Sequence, residues 1–143
     1  MSEANEVDPR TFEQVFPIVP IAAQPLGNRI LVQLRKVRTK SAGGILYIPD
    51  TQDIQKQNEV VAIVRAVGPL AYKSRDADGS LVNWGEGDWV KPLDLVRVIK
   101  FNGDRWSEPH EDGYLNFIVI NDRECIARIN SFEDARKMLA FVE

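Results

Sequence analysis

The chain has 143 residues, 44% of them hydrophobic and 27% charged, and its 18 basic and 21 acidic side chains sum to −3. That length suits one domain with a modest core, and the composition is that of a soluble globular protein. The negative sum disfavours nucleic acid as a partner, because phosphate binding needs a cationic surface. No apolar run reaches membrane-spanning length, so no membrane association is expected.

In chain order, residues 1–15 are polar and read as a tail within an N-terminal extension, residues 1–23. Its acidic start carries no signal-peptide pattern. "FPIVPIAAQPL" is broken by three prolines and reads as extended. In "NRILVQLRKV", Ile30, Val32 and Leu34 alternate with Gln33 and Arg35, which predicts a strand with one apolar face. The run Arg35, Lys36, Arg38 and Lys40 reads as a solvated edge or loop. "NEVVAIVRAVG" is rich in β-branched residues and predicts a strand buried on much of both faces, ended by Gly68-Pro69. Asp78-Gly79 is a type I′ turn signature and predicts a hairpin with its tip near Ala77 to Ser80. "GEGDWVKPLDLVRVIKF" predicts a turn and one or two strands, "GDRWSEPHEDG" a polar loop, and "YLNFIVI" and "ECIARI" two strands joined by a turn at Asn121-Asp122. In "SFEDARKMLAFVE" the period changes. Phe132, Ala135, Leu139 and Val142 recur at helical spacing behind Ser131 as N-cap, which predicts an amphipathic helix over 131–143. Many short strands and one terminal helix imply an all-β class, a small barrel or sandwich.

No catalytic constellation is visible. His110 is the only histidine and Cys125 the only cysteine, which excludes His-rich or thiolate metal clusters and an internal disulfide, and agrees with a reducing compartment. There is no G-x-S-x-G elbow. "GEGDWV" resembles the start of a dinucleotide fingerprint, but Val90 stands where the third glycine is needed. The expectation is a protein that is not an enzyme, needs no metal or other cofactor, and binds something.

"TKSAGGILYIPDTQDIQKQN" holds an apolar tetrad, Ile45, Leu46, Tyr47 and Ile48, behind Gly43-Gly44 and ahead of a polar stretch. Small residues and glycines carry high backbone entropy, so the segment is expected to be mobile. From the residues alone two readings are open: a hairpin that folds Ile45 and Leu46 onto the core, or an arm that presents them outward.

From Gln24 to Ile129 the sequence resembles the co-chaperonin (GroES-like) family. "PLGNRILVQ" is similar to the family's opening strand, and "TKSAGGILY" to its mobile loop, with the chaperonin-binding tripeptide after the Gly-Gly. "NEVVAIVRAVG", "GEGDWV" and "NDRECIARI" resemble the strand after the loop, the glycine-aspartate turn, and the closing turn and strand. Tyr47 departs from the usual aliphatic residue. The segment from Lys91 to Asn116, which includes Trp106, is longer than the family's connection, and both ends carry extra residues. Such departures suit a divergent bacterial or a virus-encoded member.

The resemblance implies a GroES-like barrel over 24–130, with a mobile loop at 38–58 and a roof hairpin at 69–83. It implies a heptameric ring that caps a GroEL-like chaperonin in the cytoplasm, a host's cytoplasm for a virus-encoded member, and encloses an unfolded client. Chaperonin binding would fall to Gly43, Gly44, Ile45, Leu46, Tyr47 and Ile48, and the polar roof to Arg75, Asp76, Asp78 and Gly79. Subunits would pair through Leu26, Arg29, Ile30 and Val32 against Cys125, Ile126, Ala127 and Ile129 of the next copy. The alternatives are a structural or nucleic-acid-binding β-barrel module without a chaperonin partner, and an enzyme domain like that of medium-chain alcohol dehydrogenases. The second would need a nucleotide-binding domain and usually zinc ligands.

Overall fold

The computed structural model describes residues 10–38, 60–99 and 103–139. Nine strands are described there: β1 Arg29–Leu34, β2 Val37–Arg38, β3 Val61–Val67, β4 Lys73–Arg75, β5 Leu81–Asn83, β6 Leu95–Val98, β7 Asp104–His110, β8 Gly113–Asn121 and β9 Cys125–Arg128. Two short helices flank them, α1 Phe12–Val15 and α2 Phe132–Lys137, and a 3-10 turn at Asp122–Glu124 precedes β9. The main sheet runs β2-β8-β1-β3-β6-β9, with β7 added to β8, and every pairing is antiparallel. This is the expected all-β, GroES-like class.

The period of two decides which side chains share a face. Ile30, Val32 and Leu34 of β1, Ala62 and Val64 of β3, Val96 and Val98 of β6, Ile118 and Ile120 of β8, and Cys125 form the interior core. The alternate residues do not face water, as the sequence pattern predicts for Gln33 and Arg35. Leu31, Gln33, Val61, Ile63 and Phe117 are buried too, and so is Arg35. The cover comes from the two ends of the chain. Val15 and Phe16, fully buried, join Ala135, Leu139 and Phe132 over Val61, Ile63, Leu95 and Ile129. Val19 and Ile21 join Trp106 over Leu31, Leu115 and Phe117.

Residues 10–15 are therefore not a tail: they fold as α1 and its approach. The residues after α1 lie outside regular structure as far as β1, as their prolines require. They are tied down by a polar relay. The Gln33 Nε2 amide donates to the Pro17 carbonyl at 2.8 Å, while Arg65 donates to Gln33 Oε1 at 2.7 Å and to the Val19 carbonyl at 2.6 Å. Arg65 is free to do this because the β1–β3 register shifts. Leu31 opposes Ala66 and Val32 opposes Val64, so Arg65 is the extra residue of a bulge, the device that re-aims one side chain.

The segment expected as a polar loop, 103–113, holds strand β7, paired along its length with β8. Trp106 stacks on Phe117 at 5.6 Å. Pro109 is tolerated because β7 is an edge strand and the missing N–H faces outward. The C-terminal helix is shorter than its apolar period suggests, ending at Lys137, with Val142 outside the described residues. Its predicted cap is present: the Asp134 N–H donates to Ser131 Oγ at 3.1 Å.

Candidate functional site

The apolar segment with Gly43, Gly44, Ile45, Leu46, Tyr47 and Ile48 lies outside the described residues, but both its roots lie within them. On the entry side, Val37 and Arg38 of β2 pair with Tyr114 and Gly113. The Lys36 N–H donates to the Val15 carbonyl at 2.8 Å, and the Lys36 ammonium meets Asp112 at 2.8 Å. On the exit side, the Val60 carbonyl accepts from the Val98 N–H at 2.8 Å.

The hairpin exists as β4 and β5, a two-stranded sheet of its own. Its turn differs from the expected type I′. The Gly79 N–H donates to the Asp76 carbonyl at 2.9 Å, and Gly79 alone of the tip residues has a left-handed φ, +86°. Ala77 and Asp78 therefore occupy an ordinary turn closed by a glycine in the left-handed region, the commonest longer alternative. Arg75 donates to the Gly79 carbonyl at 2.8 Å. The Ser80 N–H bonds the Asp78 carboxylate at 2.9 Å and holds its pKa below the usual value. The expected polar tip is there, but Leu81 and Val82 are exposed beside it. At the base, Tyr72, Trp84 and Trp89 pack mutually at 5.3–5.4 Å, and Arg123 sits 5.0 Å over Trp84.

The residues expected at a subunit interface divide into two groups. Leu26 is 73% exposed and Ile126 60%, and Arg29 and Ala127 are exposed as well. Ile30, Val32, Cys125 and Ile129 are buried within their own chain. Moreover β1 is flanked by both β3 and β8, so Arg29 to Val32 offer no free edge. A strand hydrogen-bonded on both sides has no N–H or C=O left for a neighbour. Among the described residues the free edges are those of β9, paired with β6, and of β7, paired with β8. Beside Leu26, a groove of about 540 Å³ runs between Ala23–Leu26 and the start of β7, with Trp106 and Val119 in its wall.

Burial pushes the Cys125 thiol up to about 12, far from a reactive thiolate. Burial also raises the pKa of Tyr72, whose hydroxyl donates to the Asp122 carbonyl at 3.0 Å. His110 ends β7 in a cleft of mixed charge shared with Arg10, Glu13, Lys36 and Glu111. Among the described residues no group of three His, Cys, Asp or Glu side chains is arranged to hold a metal, and no helix is long and apolar enough to cross a membrane.

Sequence reasoning missed Phe12, Gln33 and Arg65, which join the N-terminal segment to the barrel. A signal for Phe12 existed, since Thr11 and Gln14 form a capping box with Gln14 Oε1 accepting the Thr11 N–H at 2.8 Å. For Gln33 and Arg65 there was none.

Residues 22–91 match the model of the family described as the chaperonin 10 kDa subunit, a stretch that includes β1 to β5 and the Gly-Gly segment. The co-chaperonin GroES of Chlamydia felis is 30% identical over 107 residues, covering 75% of this chain and 90% of the relative. That of Holospora obtusa is 34% identical over 106 residues, 74% and 95% of the two chains. The mitochondrial 10 kDa heat shock protein of Saccharomyces cerevisiae is 35% identical over 105 residues, 73% and 86% of the two chains. On this likeness, and on an all-β sheet with a separate hairpin and a Gly-Gly-Ile-Leu segment between two anchored strands, the chain belongs to the co-chaperonin family.

Proposed function

We propose that this protein is a co-chaperonin that caps a GroEL-like chaperonin cylinder, closes its folding chamber over an unfolded client and so assists ATP-dependent folding. ATP would be hydrolysed by the chaperonin. The observation that carries the reading is the match over residues 22–91, which includes Gly43-Gly44-Ile45-Leu46-Tyr47. In this reading Ile45, Leu46, Tyr47 and the adjacent Ile48 dock in an apolar groove of one chaperonin subunit. The copies assemble head to tail into a heptamer, with Ile126 and Ala127 on the free β9 edge meeting the Leu26 region of the next copy. A heterologous contact that closes makes a ring and covers the open sheet edge. The hairpin β4–β5 forms the roof, and the protein works in the cytoplasm beside its chaperonin.

Burying one leucine stabilises by about 1.5–3 kcal/mol, against about 1–2 kcal/mol for each backbone residue fixed on binding. One segment alone would hold weakly, and several copies on one ring bind tightly because later contacts are effectively intramolecular. Leu46→Asp is expected to abolish capture by a GroEL-type chaperonin with ATP, read by co-sedimentation, while circular dichroism and native mass stay those of the parent. Capture equal to the parent's would falsify the proposal.

A further inference from the structure

We infer that α1 and α2 form a clasp that fixes both roots of the 39–59 segment, so that the two chain ends set how tightly this co-chaperonin holds its chaperonin. The inference rests on the co-chaperonin reading and assigns a positioning role to residues outside the stretch that carries the family match. The two helices meet through Phe12 and Phe132, edge to face at 5.5 Å. Arg136 of α2 donates to the Arg10 carbonyl at 2.9 Å, and Arg10 in turn donates to the Lys36 carbonyl at 3.2 Å. The Lys36 N–H returns a bond to Val15, the last residue of α1, at 2.8 Å. Lys36 is thus gripped through both backbone groups, three residues before the segment begins. The other root is held by the same cluster: Val60 and Val61 pack with Val15, Phe16, Phe132, Ala135 and Leu139.

The helices cover Val61, Ile63, Leu95 and Ile129, but the β1–β3 ladder itself is made without Phe12, Phe132 or Arg136. Its consequence is entropic. A root residue that is already ordered in the free protein need not be ordered on binding, and each one left loose weakens a single contact by about tenfold. Pre-ordering of this kind strengthens binding without adding any contact to the partner. Phe12, Phe132 and Arg136 are positioning residues: they act through Lys36 and Val60.

The test compares the full-length parent with Phe12→Ala, Arg136→Gln and Phe12→Leu. Amide exchange is followed at Lys36 and Val61, with Val32 as the barrel control, and affinity is measured for a GroEL-type chaperonin with ATP. Phe12→Ala and Arg136→Gln should speed exchange at Lys36 about fivefold or more, leave Val32 unchanged and weaken affinity by about tenfold per contact, hence by more than about a hundredfold for a ring of several copies. Phe12→Leu keeps the bulk and should restore both. If Phe12→Ala perturbs Val32 as well, Arg136→Gln alone decides. Unchanged exchange at Lys36, or faster exchange with parental affinity, overturns the clasp. The co-chaperonin reading fails by a different result: a parent that does not bind, or a Leu46→Asp variant that binds as well as the parent.

Discussion

At Tyr72 the backbone takes a φ of +59°, a conformation that costs an aromatic residue free energy and persists only where neighbours enforce it. Here the Tyr72 N–H donates to the Asp122 carboxylate at 2.9 Å and the hydroxyl to the Asp122 carbonyl at 3.0 Å. One residue thereby ties the base of the hairpin to the turn before β9. Tyr72 also hydrogen-bonds the Cys125 thiol, which eases the burial that raises the thiol pKa but does not reverse it. The pH consequence has a definite sign. The thiol keeps its proton in the folded protein up to about 12, whereas in the unfolded chain it loses it near 9. Between those values the unfolded state binds fewer protons, so stability falls as pH rises. The expected loss from this group is about 1–2 kcal/mol between pH 8 and pH 10, read from urea midpoints. Cys125→Ala should flatten that fall, and an equally steep fall in the variant would remove the thiol as its cause.

Among the elements, the hairpin is the most self-contained. Among the described residues β4 and β5 pair only with each other, and the tip is closed by Gly79 in the left-handed region with open space around its α-carbon. Gly79→Ala meets no clash, so its cost is the backbone strain alone, about 1–2 kcal/mol. Strain in the native state lowers the local and the global free energy of unfolding alike, so urea titration should show a loss of about 1–2 kcal/mol, with amide exchange speeded at residues 73–83. Stability equal to the parent's would mean that the tip relaxes without strain. The strands themselves were legible in the sequence where one face is apolar, as in β1 and β8. Strand β7 was not, because "DRWSEPH" shows polar residues on its solvent face and a proline at its end, both of which an edge strand accepts. The turn chemistry misled as well: Asp-Gly fits a two-residue turn and equally the last two positions of the longer one.

For the whole molecule, β9 and β7 are the two free edges among the described residues, and the proposed assembly uses that of β9. Ile126 stands exposed on that edge, and Leu26 stands exposed beside the groove near β7. Ile126→Asp would set a charge into the proposed subunit contact and should reduce the native mass to that of the 16.2 kDa chain, with circular dichroism unchanged. A native mass equal to the parent's would exclude β9 from the contact. The linear order of residues was enough to determine the all-β class, the apolar inner face of strands such as β1 and the family likeness, since these depend on local period and on motifs a few residues long. Only the tertiary structure decided that Ile30 and Val32 belong to the chain's own core. The same holds for residues 12–21 and 132–139, which fold over the outer face of the barrel. Both outcomes depend on which surface covers which: Phe12 meets Phe132 across 120 positions of sequence, and Arg65 reaches Gln33 only through a bulge. No local pattern encodes such pairings, because the free energy that selects them comes from burying two distant segments against each other.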